Sequence, residues 1–363
     1  MDADDAMYAI NVVSNGEHNM NVGIIGCGSI ARQRHAHEYG LNGNTTIAGF
    51  YDFVGQRAAD MVSTFGGKVY KTVDELLADP SIDLVSVCVA NAYHAEITIK
   101  ALEAGKNVLC EKPMAVTYEQ CLKMVETAEK CGKRLFIGHN QRLTPAHRKA
   151  KELIASGSMG KVLTFATSFC HAGPESWGID KGKGTWFFRK DAAAFGSMAD
   201  LGIHKIDLVR YLIGDEIKSI YSEMCVLDKT YEDGSPIQVD DNSVEVIHFR
   251  NGAFGTVTTS WTQYGGENNQ TQINCKNGVM KLYMDPKYSL TVTHPDGKVD
   301  EYDLDRMQTN TDVQQATSGV IDEVVDALMT GRESILDAGS VIGSMKAVFA
   351  CQESTETGKA VEL

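Results

Sequence analysis

The chain has 363 residues, 43% of them apolar, and a formal net charge of −14. That length exceeds what one hydrophobic core usually organises, so two domains are expected; the acidic balance, without clusters of Lys and Arg, excludes nucleic acid as a main partner. No apolar run approaches the ~18 residues of a membrane span, and the polar N-terminus lacks the basic and apolar regions of a secretory signal.

Residues 1–20 read as an N-terminal extension, either frayed or adding an edge strand over Tyr8–Val13. A strand over Asn21–Ile25 then empties into the turn GCGSIA, Gly26 to Ala31, which opens a helix. Gly26 permits the tight turn, Gly28 lets a pyrophosphate approach the backbone, and small Ala31 lets helix and strand pack closely. Ser29 and Ile30 stand at the helix N-terminus, where unpaired N–H groups favour phosphate. A second strand ends on Asp52, placed for a carboxylate to accept from the adenosine ribose hydroxyls. This favours NAD over NADP.

Strands over 68–70, 84–89, 107–110 and 135–138 alternate with helices near 73–78, 95–104 and 118–131. That alternation predicts a doubly wound parallel α/β sheet, a Rossmann domain over 21–140. Thr72 with Glu75 and Thr117 with Gln120 fit capping boxes. Ala90, Asn91 and His94 follow one strand and either line the cofactor groove or begin a helix. Glu111-Lys112-Pro113 follows the next strand at the carboxyl end of the sheet, where such folds bind ligands, so Glu111 and Lys112 are also expected at the cofactor. A lysine there can hold a substrate hydroxyl; an exposed loop lysine beside a turn proline fits the same pattern. His139 to Arg142, including Gln141 and Arg142, sit at the domain junction and either face the cleft or do not.

The grammar then changes. Helices near 145–156 and 198–213 precede strands over 217–227, 243–249, 253–261, 270–275, 279–283 and 290–294, joined in part by Asn251-Gly252, Asn277-Gly278 and Asp296-Gly297 hairpin turns. Helices near 316–330 and 338–355 close the chain. Residues 141–363 are thus expected to form an α+β substrate and oligomerisation domain with an open, mainly antiparallel sheet. Within the helix 198–213, Asp200 and His204 are one turn apart, so the carboxylate can orient the imidazole as a general base. A satisfied core histidine is the alternative. The aromatic stretch His171–Arg189, with Trp177 and Trp186, reads as a lid, a sugar-stacking wall or a subunit contact. The 9 cysteines form no CxxC pair and read as core residues in a reducing cytoplasm. No HExxH, clustered Cys/His set or GxSxG supports a metal site or acyl transfer.

GCGSIA, CEKP at 110–113, GHNQR at 138–142 and DLGIH at 200–204 together resemble the glucose–fructose oxidoreductase/inositol dehydrogenase/rhizopine-catabolism (Gfo/Idh/MocA) family, over about residues 20 to 360. The resemblance implies NAD-linked hydride transfer on a secondary hydroxyl of a sugar, a glycoside such as a glucoside at its C3 hydroxyl, or a cyclic polyol. It implies Lys112, Asp200 and His204 as catalytic residues, and Gly26, Gly28 and Asp52 as cofactor residues. It also implies a homo-oligomer built through the antiparallel sheet. Lys112, Gln141, Arg142, Trp177, Trp186, Asp200 and His204 are the expected substrate contacts. Inositol 2-dehydrogenation, NAD-dependent glycoside cleavage with transient oxidation, and non-catalytic NAD(P) sensing remain open beside it. The sequence departs from the family pattern at Ala90, where proline is frequent, and at Phe195–Met198, where a fuller glycine run is frequent.

Overall fold

The structure, a computed structural model, describes residues 19–306 and 317–363. The expected extension over 1–20, with its segment Tyr8–Val13, lies outside the described residues except for Asn19 and Met20.

The first sheet has 6 parallel strands: β1 (Met20–Ile25), β2 (Thr45–Tyr51), β3 (Lys68–Val69), β4 (Leu84–Val87), β5 (Asn107–Cys110) and β6 (Leu135–Ile137). Their order is β3-β2-β1-β4-β5-β6. The winding direction reverses between β1 and β4, which opens a crevice at their carboxyl ends. All residues of β4 are buried, which is why its sequence is apolar on both faces. A π-helical segment, Ala31–Ala36, runs into α1 (His37–Leu41); α2 (Gly55–Phe65), α3 (Val73–Ala78), α4 (His94–Glu103) and α5 (Tyr118–Cys131) follow. Both expected caps form: Thr72 Oγ1 accepts from Glu75 N at 3.0 Å, and Thr117 Oγ1 from Gln120 N at 3.2 Å.

The second part carries α6 (Pro145–Ala155), α7 (Lys190–Ala193), α8 (Ile203–Ile213) and a 9-stranded sheet. Its strands are β7 (Val162–Cys170), β8 (Ile217–Cys225), β9 (Asn242–Phe249), β10 (Phe254–Ser260), β11 (Asn268–Cys275), β12 (Gly278–Leu282), β13 (Leu290–Thr293), β14 (Val299–Tyr302) and β15 (Val361–Glu362), ordered β14-β13-β12-β11-β7-β10-β9-β8-β15. The sequence pattern predicts no strand at 162–170, yet β7 lies near the centre of the sheet. Its inward residues Phe165, Thr167 and Phe169 alternate with Thr, Ala and Ser, a contrast too weak to read as apolar alternation. Along β10, β7 runs parallel, with Cys170 opposite Ser260; the other paired neighbours are antiparallel.

The two closing helices, α9 (Val320–Thr330) and α10 (Ala338–Thr357), return to the first sheet. Val320, Ile321, Val324 and Val325 of α9 share a core with Leu109 and Phe136, while α10 packs on β8 and against α5. Arg142 ties these parts together. Its guanidinium grips both Asp207 carboxylate oxygens from Nε and NH2, at 2.7 and 2.5 Å, and donates through NH1 to Ile335 O and Ser340 Oγ. Asp207 and Arg142 are both almost wholly buried, so each charge depends on the other. Arg142→Ala should therefore lower the unfolding free energy by about 3–5 kcal/mol in urea titration, as expected when a buried charge loses its partner. Combining Arg142→Met with Asp207→Leu should recover most of that loss; a loss under about 1 kcal/mol in the single variant would show that the pair does not hold the junction.

Candidate active site

The dinucleotide cradle is built by the backbone of the first crevice. Gly26 has φ +91°, and a Cβ there would stand 2.6 Å from the Cys88 carbonyl oxygen, so only glycine fits the turn. At Gly28 the nearest atom to such a Cβ is Ile179 Cγ2 at 4.0 Å, which leaves the space above the turn open. Asp52, just beyond β2, accepts from Cys27 N and Val54 N, each at 2.8 Å. Those bonds fix the carboxylate at the edge of the turn and leave it lone pairs for ribose hydroxyls. The residues present fit a dinucleotide: an open glycine turn entering a helix, with a held acid beside it. The segment after β7 crosses this turn, since Ser29 Oγ donates to Trp177 O at 3.4 Å and Arg57 pairs with Asp180.

Several expected contacts take other places. The Glu111 carboxylate faces away from the cleft, against His35 Nε2 at 2.8 Å and Arg34 NH1 at 3.6 Å, with its second oxygen accepting from Lys112 N. Burial would raise this carboxyl, but His35 and Arg34 outweigh it and hold it at about 2. Glu111 thus supports the turn that presents Lys112. Both ring nitrogens of His94 face backbone carbonyls, of Pro113 at 2.7 Å and Val89 at 3.0 Å, so this side chain ties two loops together and has none left for a cofactor. Asn91 donates to Ala193 O at 3.0 Å, and Ala90 stays partly exposed at the end of the strand. Arg142 spends its guanidinium on Asp207, Ile335 and Ser340 and does not reach the cleft. Gln141 donates to Asn269 Oδ1 at 3.4 Å, and its own Oε1 is buried without a partner.

Lys112 and Asp200 do meet. Lys112 Nζ donates to the Asp200 carbonyl at 2.8 Å and lies 3.2 Å from its Oδ1. Asp200 Oδ2 accepts from Trp261 Nε1 at 3.1 Å and lies 3.5 Å from His171 Nε2. Gly173 N donates to His171 Nδ1 at 2.9 Å, which leaves the His171 proton on Nε2, toward Asp200. Burial would raise the Asp200 carboxyl, but Lys112 and His171 hold it at about 2.

The expected Asp200–His204 pair does not form. Met198–Gly202 is a π-helical turn, with Ile203 N bonded back to Met198 O, so the α-helical four-residue spacing that would align the two side chains is lost. Asp240 shapes this turn: it accepts from Gly196 N, Met198 N and Ser197 Oγ at 2.7–2.8 Å, and a Cβ on Gly196 would overlap the Asp240 carbonyl oxygen. This one glycine is where the departure at Phe195–Met198 keeps what the turn needs. His204 instead stands edge-on to His139 at 6.3 Å and beside Phe169 at 5.9 Å, with Nδ1 buried and unpaired. Burial, and then the Lys112 charge, lower its pKa well below the ordinary imidazole value. His139, which lies 3.4 Å from Asp207, is likewise pushed down, to about 4, by burial.

His171 and Trp261 escape the sequence reading as site residues. Each immediately follows one strand of the parallel pair β7 and β10, which end together at Cys170 and Ser260, so the pairing delivers both to Asp200. The only sequence signal is a polar or aromatic residue directly after a strand. Trp177 stands edge-on to His171 at 6.2 Å; Trp186 is one ring further out, stacked on Phe187 at 3.9 Å.

Comparison with known proteins agrees with this architecture. Residues 20–139 match the family model described as an oxidoreductase family with an NAD-binding Rossmann fold, and residues 147–281 match the GFO/IDH/MocA C-terminal domain. The chain is 37% identical over 244 residues to glucose-6-phosphate 3-dehydrogenase of Bacillus subtilis (strain 168), covering 66% of this chain and 67% of that one. It is 30% identical over 253 residues to D-glucoside 3-dehydrogenase of Escherichia coli (strain K12), covering 67% and 70%. The fold is similar to a levoglucosan dehydrogenase solved with NADH and levoglucosan, at TM-score 0.82 and 24% identity over 95% of this chain and 99% of that one. The chain belongs to the Gfo/Idh/MocA family of NAD-binding oxidoreductases.

Proposed function

We propose that the protein oxidises a secondary hydroxyl of a sugar or glycoside, with the C3 hydroxyl of a glucoside as the leading case. The observation that carries this reading is Lys112 Nζ seated on Asp200 beside an unpaired, neutral His204, at the carboxyl edge of the dinucleotide sheet. Two relatives named for oxidation at the 3-position support the choice of carbon. Gly26, Gly28, Ser29, Ile30, Asp52 and Ala90 would hold NAD, which supplies the hydride acceptor when bound.

The roles follow from the contacts. Lys112, fixed by Asp200, donates a hydrogen bond to the substrate oxygen and stabilises the charge that develops as its proton leaves. His204 takes that proton: it is neutral, and its Nδ1 is unpaired. Asp200 positions Lys112 and His171 in place of the imidazole of His204. Trp177 offers an indole edge beside His171 for a sugar face, with Trp186 behind it through Phe187. The outward face of the large sheet exposes Tyr221, Val244 and Phe254, which suit contact between copies of the chain in the cytoplasm. Val244→Glu should then reduce the oligomer seen by light scattering, and an unchanged mass would remove this face from the assembly.

Reduced-nicotinamide absorbance across glucosides, aldoses and inositols, with NAD and NADP compared, tests the reaction. Lys112→Ala and His204→Ala should each cut kcat by about a hundredfold or more while changing NAD affinity by less than about threefold. Equal losses of turnover and NAD affinity would sink these roles. Because the base acts in its neutral form and its pKa is lowered, kcat/KM should hold as the pH falls through ~6.5, the ordinary imidazole value. An acid limb centred at or above that value, absent from His204→Ala, would contradict the assignment.

A further inference from the structure

Lys205 is not used by this chemistry, yet it is wholly buried and its Nζ has no hydrogen-bond partner among the described residues. A buried ammonium with three unmet donors is costly, so such a group usually has a partner when the protein works. Its surroundings locate that partner. Lys205 Nζ stands 5.9 Å from the centre of the Phe169 ring, the same ring that lies 5.9 Å from His204 and 6.0 Å from His171. Asn269 stands opposite Phe169 across the β7–β11 pair and receives Gln141 Nε2. Lys205 therefore borders the wall that the catalytic groups share.

Two other unmatched atoms of this region are acceptors. Gln141 Oε1 is buried and unpaired. His147 Nδ1 faces the Gln141 carbonyl at 2.7 Å and so carries the ring proton, which leaves its buried, unpaired Nε2 as a lone pair. Lys205 is close enough that its charge, after burial, depresses His147. Glu267, just before β11, opposes the Lys205 charge; burial pushes Lys205 down to about 7 against that attraction. The subsite thus offers one amine with unmet donors, a carboxylate whose charge acts on it, and two lone-pair acceptors.

We propose that Lys205 recognises a substrate hydroxyl other than the one being oxidised, so that the site selects neutral polyhydroxy rings over sugars carrying a phosphate or carboxylate. A hydroxyl accepts from Lys205 and donates to Gln141 Oε1 or His147 Nε2, satisfying both kinds of group. A phosphate only accepts; it would meet the ammonium but set its charge against Glu267 and two lone pairs, with no arginine fork to hold it.

The proposal rests on the sugar-oxidising reading, and a binding measurement separates the two. Wild type, Lys205→Met and Lys205→Gln are compared with methyl glucoside, glucose 6-phosphate and glucuronate, by steady-state kinetics with NAD and by calorimetry on the NADH complex. In Lys205→Met, KM and Kd for methyl glucoside should rise about ten- to a hundredfold with kcat within about threefold, Lys205→Gln should recover part of the loss, and wild type should favour the neutral sugar by at least about tenfold. Unchanged KM and Kd in Lys205→Met, preference of wild type for either anion, or binding of none of the three overturns the proposal. Sugar binding that depends on Lys205 without hydride transfer would sustain it while ending the dehydrogenase reading. Thermal melts of both variants within a few degrees of wild type show that the fold is kept; a collapse shared by both, with loss of NADH binding, makes Lys205 a structural residue and overturns the proposal.

Discussion

A lysine from the nucleotide-binding sheet and an aspartate from the other half of the molecule share one buried contact, and the geometry of the cleft depends on it. Lys112 is carried on the turn after β5; Asp200 sits on a π-helical turn held by Asp240. A buried carboxylate needs donors to remain charged, and Asp200 draws them from Lys112 and Trp261, with His171 Nε2 3.5 Å away. Moving either half would leave this anion and the Lys112 cation uncompensated. The contact therefore sets the distance between the dinucleotide crevice and the second sheet.

Around that pair the protein keeps three buried histidines neutral. Burial depresses His139, His147 and His204, while Asp207 is matched by Arg142 and Glu111 by His35 and Arg34. In so dry an interior an ammonium beside a reacting oxygen acts far more strongly than it would in water. Neutral imidazoles next to it can accept a proton without first having to lose one. Acidic residues elsewhere give the chain its negative charge without setting the potential in the cleft.

The parts legible in the sequence are those whose cause is local. Gly26 is demanded by a positive φ and a carbonyl 2.6 Å from where a Cβ would stand, Thr72 and Thr117 accept from the amide three residues on, and buried β4 is apolar on both faces. Lys112 and Asp200 were readable as candidates, but their partnership was not, because an α-helical spacing pairs Asp200 with His204. The π-turn that breaks this pairing depends on Asp240, which lies 40 positions away in the sequence. The strand β7 was hidden for a related reason: the Thr, Ala and Ser that alternate with its inward residues lie on the less buried face of the sheet and give a weak pattern. Arg142 and His94 illustrate the converse, polar residues at the right address that the packing uses up.

The parallel pairing of β7 with β10 has a consequence for how the molecule comes into being. The two strands are joined through most of the second half, so their contact closes a long loop, and contacts of this kind form late. His171 and Trp261 are brought to Asp200 only when that loop has closed, whereas the glycine turn and its first crossover are complete within the opening segment of the chain. The assembled Asp200 cluster thus reports a topology that only parts of the chain distant in sequence can complete.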